Sequence, residues 1–235
     1  MSKSLVNITI NKILNMIKDQ KLQPNDKLPT VEELANNFSV GRSTIREALK
    51  VLSAQNIIVV KQGAGTFISE NQGVSRDPLG LEYISDDINV IFDMVTLRLI
   101  FEPEMAAMAA QFATRKDIQN IKYYCDEVER LIEEGEDYHK ADSEFHTAIA
   151  KASGNGIIHK ITQVIHSSIK KNIFMTDNVL CKDTVIFHRR ITKCIDDGDI
   201  NGAKYAMINH LDAQRQYLIE NYKYQLNKRD RKSVV

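Results

Sequence analysis

Two kinds of apolar periodicity divide this chain. In residues 30–52, TVEELANNFSVGRSTIREALKVL, Val31, Leu34, Ala35 and Phe38 recur at helical spacing and predict a short helix with one apolar face. Leu28-Pro29-Thr30 leads into it, with Thr30 as the cap and Glu33 as its capping-box partner. The pattern breaks at Gly41, after Val40. It resumes from about Ser43, where Ile45, Ala48, Leu49 and Leu52 form the buried face of a second helix. Two short helices joined by a tight glycine-containing turn predict a helix-turn-helix. Gln55-Asn56 closes the second helix. The β-branched run Ile57-Ile58-Val59-Val60, the turn Lys61-Gln62-Gly63-Ala64-Gly65 and the segment Thr66-Phe67-Ile68 predict a hairpin directly behind it, which makes a winged helix.

Beyond Leu81 the strand signal disappears. Residues 71–80 are polar, with two glycines and a proline, and predict a linker. After Leu81 the chain has one proline, Pro103, and five glycines (135, 154, 156, 198 and 202), and the stretches between them keep helical periodicity. Helices are predicted at about 85–113, 115–134, 137–153, 156–178, 182–196 and 199–226, with Gly154 as a C-terminal cap and Asp199 as an N-terminal cap. The expected fold is mainly α. A winged helix-turn-helix spans 1–70, a linker 71–80, an all-α bundle of six to seven helices 81–228, and a basic tail 229–235.

Formal net charge is zero, with 31 Lys and Arg against 31 Asp and Glu. The distribution changes that picture: residues 1–70 hold nine Lys or Arg and six Asp or Glu, a net of +3, which leaves −3 for the rest. Moderate positive charge on one domain suits sequence-specific DNA binding by a dimer better than indiscriminate coating. Arg42, Ser43, Thr44 and Arg46 stand at or near the start of the second helix, where side chains reach base edges and phosphates when a helix end enters a major groove. Lys61, Gln62 and Gly63 make the hairpin tip, suited to backbone phosphates or the adjacent minor groove. Cys125, Cys181 and Cys194 form no CxxC and no close pair, as expected of reduced, packed thiols. With no signal peptide and no apolar run of membrane length, the expectation is a cytoplasmic protein without membrane contact.

Six histidines occur, at 139, 146, 159, 166, 188 and 210. Asp142 and His146 are four apart in ADSEFHTAIA and share a helix face that continues into Ile149. His188 and His210 lie on two further predicted helices. One Asp and three His converging inside a bundle suit Zn, Ni, Mn or Fe(II), with positions left open for water or an anion. By spacing alone, packed or surface histidines explain the same pattern. Arg98 has a second reading too, as the surface partner of Glu102 four residues on.

The stretch PNDKLPTVEELANNFSVGRSTIREALKVLSAQNIIVVKQGAGTFI resembles the winged-helix domain of the GntR family of bacterial transcription regulators, over residues 5–70. The resemblance implies that Arg42, Ser43, Thr44 and Arg46 contact operator DNA and that the wing tip near Gly63 approaches the minor groove. There is one departure. Many relatives carry Arg where this chain has Glu32, a carboxylate that phosphate repels, so the operator sequence does not carry over. VTLRLIFEPEMAAMAA, ADSEFHTAIAKASGN and FHRRITKCIDDGDINGAKYAMINHL, within about Ile91 to Tyr217, resemble the FCD effector-binding domain of one branch of that family. In metal-containing members the ligands are one Asp and three His, which match Asp142, His146, His188 and His210. Arg98 matches an Arg that reaches into the effector cavity. Asn155 matches a recurring Asn, read here as a turn or capping residue.

What the resemblance implies is a homodimeric transcription regulator, with repression the expected sign. It would bind double-stranded, pseudo-palindromic operator DNA and answer to a small organic acid effector held at a divalent metal ion. Two alternatives belong to other classes. A metal-dependent enzyme fused to a DNA-binding module would need a general base beside the metal water. Glu144 points elsewhere on its helix, and no HExxH, Ser-His-Asp grouping or phosphate-cradling glycine loop occurs. A ligand-independent DNA-binding protein with a purely structural second domain would not need four potential ligands turned inward.

Overall fold

The computed structural model describes residues 4–70, 73–74, 79–80, 88–169 and 177–226. The chain forms two compact units, Met1–Pro78 and Leu79–Val235.

In the first unit, α1 (Leu5–Asp19) is capped by Ser4, whose hydroxyl accepts the Asn7 N–H. Helix α2 (Val31–Phe38) begins with the predicted capping box: Thr30 Oγ1 accepts the Glu33 N–H, and the Glu33 carboxylate accepts the Thr30 N–H at 2.7 Å. Helix α3 (Arg42–Ala54) follows after a turn whose left-handed residue is Ser39, at φ 55°. Gly41 has φ −66° and is the extended N-cap of α3, without a side-chain cap. The reversal therefore sits two residues before the glycine that marks it in the sequence.

Strands β1 (Ile58–Lys61) and β2 (Gly65–Ile68) pair antiparallel, Ile58 opposite Ile68 and Lys61 opposite Gly65. At the tip the Ala64 N–H donates to the Lys61 carbonyl, and Gly63 supplies the left-handed step at φ 74°. The other edge of β2 is covered by residues 25–28. Leu28 N–H donates to Thr66 and Ile68 N–H to Asp26, each at 2.8 Å. Ile13, Leu34, Ile45, Leu52, Ile58 and Ile68 close the core, so the hairpin and three helices share one apolar centre.

The second unit contains α4 (Ile88–Phe112), α5 (Arg115–Glu134), α6 (His139–Ala152), α7 (Gly156–Ile169), α8 (Asp177–Asp196) and α9 (Ile200–Leu226). Helix α4 packs along α9, α9 also on α8, and α5 on α6 and α8. Phe145, Ile149, Ile191, Ile195, Met207 and Leu211 fill the centre. Small residues, Ala106 and Ala109 on α4 with Ala203 and Ala206 on α9, line the same core and let these backbones approach. Asp199 caps α9 by accepting the Gly202 N–H at 2.9 Å, and a Cβ at Gly202 would lie 2.1 Å from that carboxylate. Cap and glycine therefore require each other. Asn155 Oδ1 accepts the Ile157 and Ile158 N–H groups at the start of α7, the capping role its sequence position indicates.

One helix boundary differs from expectation: α8 begins at Asp177, not at 182. The stretch 170–176, over which the predicted helix 156–178 continues, lies outside the described residues. The predicted helix start at 85, residues 71–72 and 75–78 of the predicted linker, and the basic tail lie outside the described residues. Among the described residues no helix is long and apolar enough to cross a membrane.

Candidate metal centre and DNA-facing surface

Helix α3 turns Ile45, Ala48, Leu49 and Leu52 into the core of the first unit. Helical periodicity then leaves Arg42, Ser43 and Arg46 exposed and Thr44 half-buried at its first turns. The hairpin tip exposes Lys61, Gln62 and Gly63, with the Lys61 ammonium 4.9 Å from the Phe67 ring centroid. Glu32 has a partner that sequence reasoning did not assign. It forms an ion pair with Arg42, the first residue of α3, and both side chains are well exposed. An acidic residue thus stands against one of the groups that the sequence marks as a candidate DNA contact.

In the second unit three helices converge on one buried polar cluster. Asp142 and His146 face inward from α6, His188 from α8 and His210 from α9. One donor atom from each lies within 4.8 Å of every other. Asp142 Oδ1 is 3.3 Å from His188 Nε2 and 3.9 Å from His146 Nε2. All three histidines are at most 1% exposed. The His188 ring stacks on Phe145, with 4.0 Å between centroids, so the core itself fixes its orientation.

Burial pushes the His188 and His210 imidazoles well below the usual histidine range. The neighbouring imidazoles and the Arg98 guanidinium push the same way, and Glu102 opposes them. Both rings are neutral at neutral pH, and each then offers a lone pair. Both ring nitrogens of His188 and Nε2 of His210 are buried without a hydrogen-bond partner. An unsatisfied buried polar group costs about 1–3 kcal/mol. One such nitrogen from each of His188 and His210, beside Asp142 and His146, gives the donor set and the unmet demand that a divalent cation satisfies.

Behind the cluster lies a second layer that sequence reasoning underread. Arg98 and Glu102 form the expected pair on α4, but as a buried pair, 3% and 1% exposed, rather than a surface one. The Arg98 Nε–H donates to Glu102 Oε1 at 2.7 Å, and its Nη1 donates to Gln214 Oε1 at 3.3 Å. Glu102 Oε2 lies 2.7 Å from His146 Nδ1. Two acceptors do not approach that closely, so the proton sits on Nδ1 and the lone pair of His146 is on Nε2. That lone pair faces Arg98 Nη2 at 3.1 Å. Two sequence signals pointed here. Helix α4 is apolar on nearly all sides, so charges within it are buried and paired. Gln214 stands four residues after His210, on the same face of α9.

Comparison with known proteins gives this architecture a family. Residues 7–68 match the model for bacterial regulatory proteins of the gntR family, and residues 93–213 match the FCD domain. The HTH-type transcriptional regulator LutR of Bacillus subtilis is 31% identical, over 88% of this chain and 99% of its own. A galactonate operon transcriptional repressor of Escherichia coli is 27% identical, over 85% of this chain and 90% of its own. A solved structure described as Streptococcus agalactiae GntR superposes with a TM-score of 0.77 at 36% identity, covering 90% of this chain and all of that one. The winged helix, the helical domain behind it and these matches agree, and the chain belongs to the GntR family of DNA-binding transcription regulators, in the branch that carries an FCD domain.

Proposed function

We propose that this regulator senses a small carboxylate at a divalent metal ion held by Asp142, His146, His188 and His210, and that ligand binding there alters its grip on operator DNA as a homodimer. The observation that carries the reading is the convergence of those four donors, from three helices, within 4.8 Å in a buried site. The ion would supply a Lewis-acidic centre with open positions for an anion. Asp142 contributes a carboxylate oxygen and the histidines neutral nitrogens, so the site keeps net positive charge to attract one. A relative's operon concerns galactonate, a hydroxycarboxylate, which agrees with that ligand class. Sensing fits better than catalysis because Glu102, the carboxylate behind the cluster, is engaged by both Arg98 and His146 and is not available as a base.

On DNA, Arg42, Ser43, Thr44 and Arg46 would enter the major groove while Lys61, Gln62 and Gly63 meet the backbone or the minor groove. The ligand changes affinity by favouring one dimer geometry over another, which requires unequal affinity for the two. Helix α4 follows the inter-domain segment in sequence and carries Arg98, which makes it the proposed lever. Sedimentation equilibrium of the full chain should give a dimer, free and on DNA; a monomer in both states overturns the two-fold model.

Two substitutions should move DNA affinity in opposite directions. Arg46→Ala should weaken operator binding by about 1–3 kcal/mol, the range for a base or tight phosphate contact, with the domain still folded. Glu32→Gln should strengthen binding several-fold, because it removes the carboxylate that faces Arg42 and repels phosphate. Gel-shift titration at fixed salt reads both. Unchanged affinity in Arg46→Ala would displace α3 from the groove.

His188→Ala and His210→Ala should each lose most bound zinc and the response of DNA affinity to galactonate or related small carboxylates, while basal DNA binding persists. Removing one of four donors leaves the others without a complete, preorganised set. A chelator should lower the thermal midpoint of the wild type and leave the variants unmoved. Elemental analysis giving about one metal per chain in both variants would refute the site.

A further inference from the structure

We infer that Arg98 competes with the metal for His146, so that loading the metal is what releases the guanidinium toward an incoming carboxylate. The inference rests on the metal-site reading above and concerns how that site is regulated. Its basis is one shared atom. His146 Nε2 is the nitrogen that faces Asp142, at 3.9 Å, and so is the donor available to an ion among the four ligands. The same nitrogen lies 3.1 Å from Arg98 Nη2. The tautomer leaves no second lone pair on this ring, because Nδ1 carries its proton against Glu102 Oε2 at 2.7 Å. One lone pair serves either the guanidinium or the ion.

Glu102 determines where Arg98 goes when it yields. Its Oε1 holds Arg98 through Nε at 2.7 Å, and Gln214 holds Nη1 at 3.3 Å. These two contacts use Nε and Nη1, and Nη2 itself also reaches Glu102 Oε2 at 3.5 Å, so release from His146 need not detach the arginine from α4 or α9. The freed Nη2 would stay beside the four-donor cluster. An N–H there is suited to the second oxygen of a carboxylate whose first oxygen binds the ion. Glu102 also touches the histidine and the arginine with its two oxygens, so one carboxylate keeps donor and competitor in register. Arg98 and Glu102 act here as positioning residues, and the ligand they tune is a metal-plus-carboxylate pair rather than either alone.

A role for Arg98 as a mere brace and a role as a competitor predict opposite signs. If it only braces the bundle, any replacement loosens the four ligands and weakens metal binding. If it competes, a replacement that cannot span Glu102 and His146 together strengthens metal binding. Arg98→Lys keeps the positive charge, so relief of cation repulsion does not enter, but a single ammonium on a shorter reach cannot make both contacts. Tag-free full-length protein, stripped by dialysis against chelator, is titrated with Zn2+ against a competing chromophoric chelator. The expected result is zinc affinity raised by about tenfold in Arg98→Lys, the scale of one hydrogen bond to a charged group, together with weaker binding of acetate to the zinc-loaded variant than to zinc-loaded wild type. Zinc affinity equal to or below wild type in a folded variant overturns the inference.

If Arg98→Lys does not fold, the wild type decides. In 15N-labelled protein, saturation with Zn2+ should move the Arg98 Nη resonances while the Nε–H resonance, held by Glu102, stays near its place. Arg98 resonances that do not change on saturation overturn the proposal. Wild type that takes up no zinc at all fails the metal-site reading itself, a result distinct from zinc binding that leaves Arg98 unmoved.

Discussion

The buried Arg98–Glu102 pair is the constraint around which the helical domain is organised. Two charges removed from water at 3% and 1% exposure carry a desolvation penalty of several kcal/mol each unless every donor and lone pair is met. Here they are met from three directions: by each other on α4, by His146 from α6 and by Gln214 from α9. Those contacts tie α4 to two neighbours at the depth where Asp142, His146, His188 and His210 converge. Deleting either charge strands the other, so this arrangement specifies one packing of α4 more than it adds stability.

The DNA-binding unit was legible almost completely, because its information is local. Capping box, amphipathic period and hairpin all lie within a few residues of the atoms they position, and Thr30, Glu33, Ile45 and Leu52 do what their spacing indicates. The exception is the left-handed residue of the turn. Ser39 adopts it with its N–H bonded back to Asn36, whereas the nearby glycine drew the expectation. Glu32 meeting Arg42 was equally out of reach, since ten residues and a turn separate them.

In the second unit legibility fell with sequence distance. The Asp142–His146 pair is visible as four residues on one helix face, but the approach of His188 and His210 needs the packing of α8 and α9, which no local pattern encodes. Family resemblance supplied that step, and the geometry places the four together. The Arg98–Glu102 spacing was legible and its burial was not. Spacing fixes which side chains share a face; only the neighbouring helices decide whether that face meets water.

One consequence of the shared nitrogen on His146 concerns sign. On the proposed competition, a metal that claims Nε2 and a carboxylate that claims the released Nη2 would each remove an obstacle to the other, so their affinities would rise together, and by the same factor in either direction. Coupling of this kind is typically about 1–3 kcal/mol, near the strength of the single charge-assisted hydrogen bond exchanged. Neither ligand alone then commits the site. On that proposal a carboxylate reaching metal-free protein would find Arg98 Nη2 engaged by His146, and a metal without the carboxylate would leave Nη2 only its 3.5 Å contact to Glu102 Oε2. Arg98, His146 and Glu102 partner one another in the structure, so double occupancy would exchange one of those contacts for two new ones, and α4, which carries two of the three residues, is the element placed to register it.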